Sequence, residues 1–390
     1  MFQVLLSPAP ERGFTPPFLQ LPKSNPMETP QEKLIDAIDA LLPALLQGMD
    51  AVSFIARHMH PPLLANLVEQ MEPVAAKLKA SRAPFDAAQW PEHLVAFSAH
   101  VREAANETEA TFEGLRAAAD DGSAPGGPVF AAYRAMRHGP RAMEALYPVS
   151  AMLPPVSRFF LEDGAQNDAA LIERLAEGAA KEGTGIHHFG NEKGQRGGFS
   201  LYVPETYDAG RPHPLIVACH GGSGHGRGFL WTWLRAARSR GAILMSPTSL
   251  DATWSLMEPE QDRVSLARMM AHASERWHID SGRILLTGMS DGGTFTYLAG
   301  LAGGPFTHLA PVSSAWHPML LGMADPARLQ NLPIYITHGA LDWMFAADMA
   351  RLASSELSAA GADVTYREIA DLSHTYPAEE NARIMDWFLG

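Results

Sequence analysis

The chain has 390 residues, 43 acidic against 30 basic, for a formal charge of −13 at neutral pH. An acidic chain without a basic run argues against a nucleic-acid partner, and 46 % hydrophobic with only 19 % charged residues excludes disorder as the main state. The single cysteine, Cys219, excludes an intramolecular disulfide framework and a cysteine-based zinc cage, and is consistent with a reducing, cytoplasmic setting.

Residues 1–30 read as a flexible Pro-rich tail. The run Phe2-Gln3-Val4-Leu5-Leu6 is short, lacks a preceding Lys or Arg and stops at Pro8, unlike a secretory signal, and Met27 would also serve as a start. No stretch reads as the ~20 apolar residues needed to span a bilayer. Over 31–182 the apolar residues recur at helical spacing. Leu34, Ile35, Ile38, Leu41, Leu42, Leu45 and Leu46 make one stripe, and Leu63, Leu64, Leu67, Val68, Met71, Val74 and Leu78 another. Further helices are expected over 91–118, 129–147 and 169–180, with breakers at Pro61-Pro62, Gly122 to Gly127 and Pro154-Pro155. This half reads as an all-helical bundle that either covers a site in the second half or serves stability and homodimer formation.

From about 183 to 390 the pattern changes to short apolar runs alternating with helical segments. Strands are expected at 199–203, 214–219, 242–246, 283–287, 309–313, 333–337 and 364–369, and helices at 229–239, 261–276, 292–301, 346–360 and 378–388. Repeated βα units of this length call for a mainly parallel, helix-covered sheet. The glycine-rich stretch 183–198 reads as a hinge or connector.

Chemistry concentrates in this half. Gly288-Met289-Ser290-Asp291-Gly292 fits G-x-S-x-G between a strand-like run and a helical one, a setting in which the serine hydroxyl stands on a strained turn above the sheet. A nucleophilic serine needs a base and an acid that orients the base. Asp342 follows a predicted strand in His338-Gly339-Ala340-Leu341-Asp342, and His374 follows another in Leu372-Ser373-His374. Both stand at carboxyl ends of strands, where open α/β sheets place their sites. Asp342 would also suit a helix N-cap and His374 a loop. Asp371, closer to His374 along the chain, lies on the same loop and ranks below Asp342. For the oxyanion of an acyl-transfer intermediate, His220-Gly221-Gly222-Ser223-Gly224 follows a strand and offers the Gly222 amide, with Ser223 as the fallback, beside the amide of Asp291. A flexible glycine turn or a phosphate-binding loop is the alternative for this run; Arg227 keeps the phosphate reading open, although His225-Gly226-Arg227 lacks the Walker pattern. Trp231, Trp233, Trp254 and Trp316 fall in or near loops on the same side of the sheet. Ser223, Trp254 and Trp316 are the residues taken as candidate pocket lining, with core packing as the other reading. His58, His60, His187 and His188 form no carboxylate and histidine cluster at ligand spacing, so no metal is expected.

With Tyr202-Val203-Pro204-Glu205, these motifs resemble the α/β-hydrolase superfamily, and within it the phospholipase/carboxylesterase group, which includes acyl-protein thioesterases, and the feruloyl esterase and polyhydroxybutyrate depolymerase-like enzymes. The resemblance covers about residue 199 to the C-terminus. It implies an α/β-hydrolase sheet preceded by an unrelated helical domain, and a serine carboxylic-ester hydrolase with no cofactor. Its substrate would be a small acyl or aryl ester, with a thioester, a peptide or a non-catalytic binding role as alternatives. Ser373 and Asp291 depart from the group, where Gly often precedes the histidine and acyl-protein thioesterases carry Gln.

Overall fold

The computed structural model describes residues 29–120, 126–179 and 181–390. Apart from Thr29 and Pro30, the tail read over 1–30 lies outside them, as does most of the Gly122–Gly127 breaker.

The first half is helical: α1 (Pro30–His58), α2 (Leu64–Ala87), α3 (Val95–Asp120), α4 (Gly127–Ala135), α5 (His138–Leu146), α6 (Pro154–Phe159) and α7 (Ala169–Gly178). Thr29 starts α1 with a reciprocal capping box, its hydroxyl accepting from the Glu32 amide while the Glu32 carboxylate accepts from the Thr29 amide at 2.7 Å. Three expectations need correction. The Gln31–His58 stretch of α1 is long and apolar enough to cross a membrane by length and composition, where the sequence pattern alone points to no such stretch. Pro43 and scattered charges hide it there, and in the fold Leu41, Leu45, Met49 and Ile55 bury its apolar face in the core. The helix expected over 129–147 is broken between α4 and α5, with Met136 and Arg137 in a turn, because Pro140 has no N–H for the Met136 carbonyl and its ring crowds it. Pro154-Pro155 opens α6 rather than ending a helix, because proline is tolerated in a first turn.

The second half supplies one eight-stranded sheet in the order β1-β2-β4-β3-β5-β6-β7-β8. Its strands are β1 (Gly185–Phe189), β2 (Phe199–Val203), β3 (His213–Cys219), β4 (Ile243–Pro247), β5 (Ile279–Met289), β6 (His308–Val312), β7 (Pro333–Gly339) and β8 (Asp363–Ile369). β1 and β2 are antiparallel to their neighbours and the other pairings are parallel. β1 lies inside the stretch taken as a hinge. Its Gly185-Ile186-His187-His188-Phe189 carries two histidines and only two bulky apolar residues, a weak strand signal that pairing with β2 overrides.

Strand alternation sorts the core into two layers. Ile216 and Ala218 of β3 face α8 (Gly226–Arg240), α14 (Glu380–Leu389) and, behind them, the N-terminal helices, in one continuous apolar cluster. Leu215, Val217 and Cys219 face the other way, toward α9 (Glu260–Ser274), α10 (Asp291–Leu301) and α13 (Ala347–Ala359). The short helices α11 (Pro318–Gly322) and α12 (Pro326–Leu329) lie between β6 and β7 in sequence. The division near residue 183 marks a change of sequence pattern, while the core runs across it.

Candidate active site

The pairings Cys219↔Gly288, Met289↔Val312, Val312↔Thr337 and Gly339↔Ile369 align the carboxyl ends of β3, β5, β6, β7 and β8 along one edge. The loops with Gly222, Ser290, Asp342 and His374 all leave from there.

Between β5 and α10, Ser290 turns the corner alone, at φ 56° and ψ −120°. A side chain in that region costs of order 1–3 kcal/mol and persists only where its surroundings fix it. Here the Ser290 N–H donates to Val312 O at 3.0 Å, and the Thr294 N–H donates to Ser290 O at 2.9 Å. The flanking glycines act by clearance. A Cβ on Gly288 would lie 2.4 Å from Gly292 O, and one on Gly292 would lie 2.3 Å from Cys219 O. Neither has a positive φ, so the strain sits on the serine itself.

His374 Nε2 lies 3.0 Å from Ser290 Oγ, and its Nδ1 lies 2.9 Å from Asp342 Oδ2. All three side chains are buried or nearly so. Asp342 Oδ1 also accepts the amides of Met344 at 2.9 Å and Phe345 at 2.8 Å, which closes the turn after β7; the helix cap read for it does not form, since α13 begins at Ala347 with Ala346 at its N-cap and no side-chain cap. Burial pushes the Asp342 carboxyl up, but the hydrogen bond and charge of His374, the Phe345 amide and nearby His338 outweigh it and hold the group below its ordinary value. Asp371 points elsewhere, paired with Arg57 at 3.0 Å.

The turn after β3 abuts the serine: a Cβ on Gly221 would lie 3.5 Å from Ser290 Cβ. Gly222 and Ser223 are exposed, and Ser223 has φ 55°. Below them the turn is rigidly held. The indole of Trp254 donates to His220 O at 2.7 Å, His220 Nδ1 lies 2.7 Å from Gly221 O, and the Ser249 amide donates to His220 Nε2 at 3.2 Å. Arg196, from the connector, donates to Gly224 O at 2.6 Å. Burial drives the His220 pKa down to about 3 against the hydrogen bond to Gly221, so the ring is neutral. The Asp291 carboxylate accepts from Thr253 at 2.6 Å, beneath Gly222.

Trp254 and Trp316 each direct the indole N–H inward. Trp254 stacks on Phe295 at 4.6 Å. Trp316 packs edge-on to Tyr297 and donates to Glu356 at 2.7 Å. Both rings are nearly fully buried, as are Trp231 and Trp233 in α8. The apolar side chains open at the rim are others, Phe130, Leu341, Trp343 and Met344, each about 40 % exposed. Tyr133 and Arg137 also reach the site, the Tyr133 hydroxyl donating to His374 O at 2.9 Å and Arg137 Nη2 to Ser223 O at 3.1 Å. Nothing local in the sequence marks these two residues, because their partners lie far along the chain.

No protein-family model matches the chain, and no curated protein matches it. Solved structures align with about half of it. A thermostable esterase is 19 % identical, covering 52 % of this chain and 62 % of that one, with a TM-score of 0.43. The acylaminoacyl peptidase in complex with Z-Gly-Gly-Phe-chloromethyl ketone is 17 % identical over 53 % of this chain and 41 % of that one, at 0.43. Acyl-protein thioesterase 2 of Zea mays is 16 % identical over 49 % of this chain and 99 % of that one, at 0.40. The chain thus spans 62 % and 41 % of the length of the first two. The sheet order, the antiparallel β2 and the strained serine corner after β5 together give the chain the α/β-hydrolase fold.

Proposed function

We propose that the chain is a serine carboxylic-ester hydrolase that works through an acyl-enzyme on small acyl or aryl esters. The observation that carries this reading is the continuous line from Ser290 Oγ through both nitrogens of His374 to Asp342, at 3.0 and 2.9 Å. In the first step Ser290 Oγ bonds to the ester carbonyl carbon as His374 Nε2 takes the hydroxyl proton. The amides of Gly222 and Asp291 receive the oxyanion, with the Ser223 amide as the fallback donor. The bond to the leaving alcohol breaks as His374 returns the proton, and water repeats the attack on the acyl-enzyme to release the acid. Asp342, held ionised, fixes the imidazole tautomer and balances its charge.

Phe130, Leu341, Trp343 and Met344 at the rim favour an apolar acyl or aryl group over a charged one. The single buried thiol of Cys219 fits a reducing compartment, and a cytoplasmic location belongs to the proposal. The test is a panel of p-nitrophenyl esters of increasing acyl length, a thioester and a peptide amide, together with a fluorophosphonate probe. The expected result is labelling of Ser290 and ester turnover that Ser290→Ala abolishes. An unlabelled Ser290 would favour a non-catalytic binding protein, and a preference for the thioester or the amide would move the leaving group accordingly.

A further inference from the structure

The three candidate catalytic side chains belong to the second half of the chain, yet their loops are held by the first. The histidine loop has no regular structure, and each residue from Ser373 to Thr375 bonds to a helical-half residue. His60 Nδ1 lies 3.1 Å from Ser373 Oγ, the Tyr133 hydroxyl donates to His374 O at 2.9 Å, and Thr375 Oγ1 donates to Arg57 O at 2.9 Å. The Arg57 guanidinium also pairs with Asp371 and Glu379. Phe130 of α4 packs edge-on against Trp343 of the Asp342 loop at 5.9 Å between ring centres. Arg137, in the break after α4, reaches Ser223 O on the proposed oxyanion turn.

One segment of eight residues, 130–137, therefore touches the loops of the acid, the base and the oxyanion donors. Catalytic geometry has to be held within about 0.5 Å, and a displacement near 1 Å costs on the order of 100-fold in rate. We infer that segment 130–137 is the positioning element of this active site, with Tyr133 setting His374 against Ser290 and Arg137 setting the turn that presents Gly222 and Ser223. The helical half then completes the site and is not a removable cover. The inference rests on the serine-hydrolase reading. Both side chains have the chemistry that positioning requires. Burial, with the Asp342 charge adding to it, pushes the Tyr133 hydroxyl up to about 12, so it stays a protonated donor throughout the range in which esters are assayed. Arg137 offers the Ser223 carbonyl a planar fork of N–H donors.

The test uses the full-length chain with Tyr133→Phe, Arg137→Ala and Arg137→Lys. Tyr133→Phe removes one hydroxyl and keeps the ring. It should lower kcat about tenfold with KM within about twofold, slow fluorophosphonate labelling of Ser290 in the same proportion, and melt within a few degrees of the parent. Arg137→Ala should lower kcat by a similar factor, and Arg137→Lys should recover part of it. Labelling and kcat at the parent level in both Tyr133→Phe and Arg137→Ala would overturn the inference while leaving the hydrolase reading in place. A lower melting point with unchanged kcat would overturn it too, by making the contacts merely structural. A parent protein that neither labels nor turns over any ester would instead overturn the reading on which the inference rests.

Discussion

Arg238 donates to Glu205 at 3.0 Å inside the protein, with 2 % and 7 % of the two side chains exposed. The pair is fully furnished with partners. Glu205 also accepts from Tyr147 at 2.8 Å and Tyr202 at 2.6 Å, while Arg238 donates to Ser157 O at 2.7 Å. Tyr147 and Ser157 come from the helical half, so the network joins it to β2 and α8. Removing one member of a buried ion pair strands the other and costs about 3–5 kcal/mol, whereas replacing both with apolar groups costs far less. Arg238→Leu should therefore lower the stability measured by urea titration by that amount, and the double variant Glu205→Leu with Arg238→Leu should recover much of the loss.

The corner at Ser290 yields a second expectation. Ser290→Ala keeps a side chain at φ 56°, whereas Ser290→Gly relieves the strain. Both should lose ester turnover by about 10⁴-fold or more, but Ser290→Gly should be more stable than Ser290→Ala by about 1 kcal/mol. Thermal melts of the two side by side measure this. Equal melting temperatures would mean that the corner carries no strain.

His220 links acid to stability. Its folded pKa is about 3, against about 6.5 in an unfolded chain. Between those values the unfolded form binds a proton that the folded form does not. Its contribution is therefore complete above about pH 6.5 and falls as pH drops, by up to about 1.4 kcal/mol per pH unit. Urea midpoints measured from pH 7.5 to 4.5 should decline less steeply in His220→Gln than in the parent, whatever the variant's starting stability.

Clearance at the elbow predicts a contrast between glycines. On Gly292 a Cβ would meet the carbonyl oxygens of Cys219 and His220 at 2.3 and 2.4 Å, and these backbone atoms cannot rotate away. Gly292→Ala should cost about 3 kcal/mol and lower kcat as well, because the proposed oxyanion turn shifts with Cys219 and His220. Gly164, with open space around its Cβ position, should tolerate alanine within about 0.5 kcal/mol. Denaturant titration and initial rates on both variants decide it.

Much of the second half could be read along the chain because its signals are local. β2 spans Phe199–Val203, the residues expected of it, and the serine, acid and histidine each stand just past a recognisable strand. β1 escaped because an edge strand rich in histidine is specified by its neighbour rather than by its own residues. The break at Met136 and Arg137 escaped too, although it has a local cause in Pro140, which has no N–H for the Met136 carbonyl and crowds it. Tyr133, Phe130 and Arg137 look like ordinary residues of an amphipathic helix. Their roles exist only through partners in another part of the sequence, which periodicity cannot report. The tryptophans carry the opposite lesson, since aromatic rings beside a predicted site proved to be internal supports.

The contacts that seat His374 join residues 313 and 241 positions apart. Closures over such distances are entropically costly and tend to form after local structure in folding. A chain still on its way to the native state can thus hold a complete serine corner without a base beside it. On the proposed chemistry, such a chain is inert toward esters until its first and last parts have met. Reactivity at Ser290 then reports the finished molecule, and recovery of ester turnover during refolding should trail recovery of the circular dichroism signal.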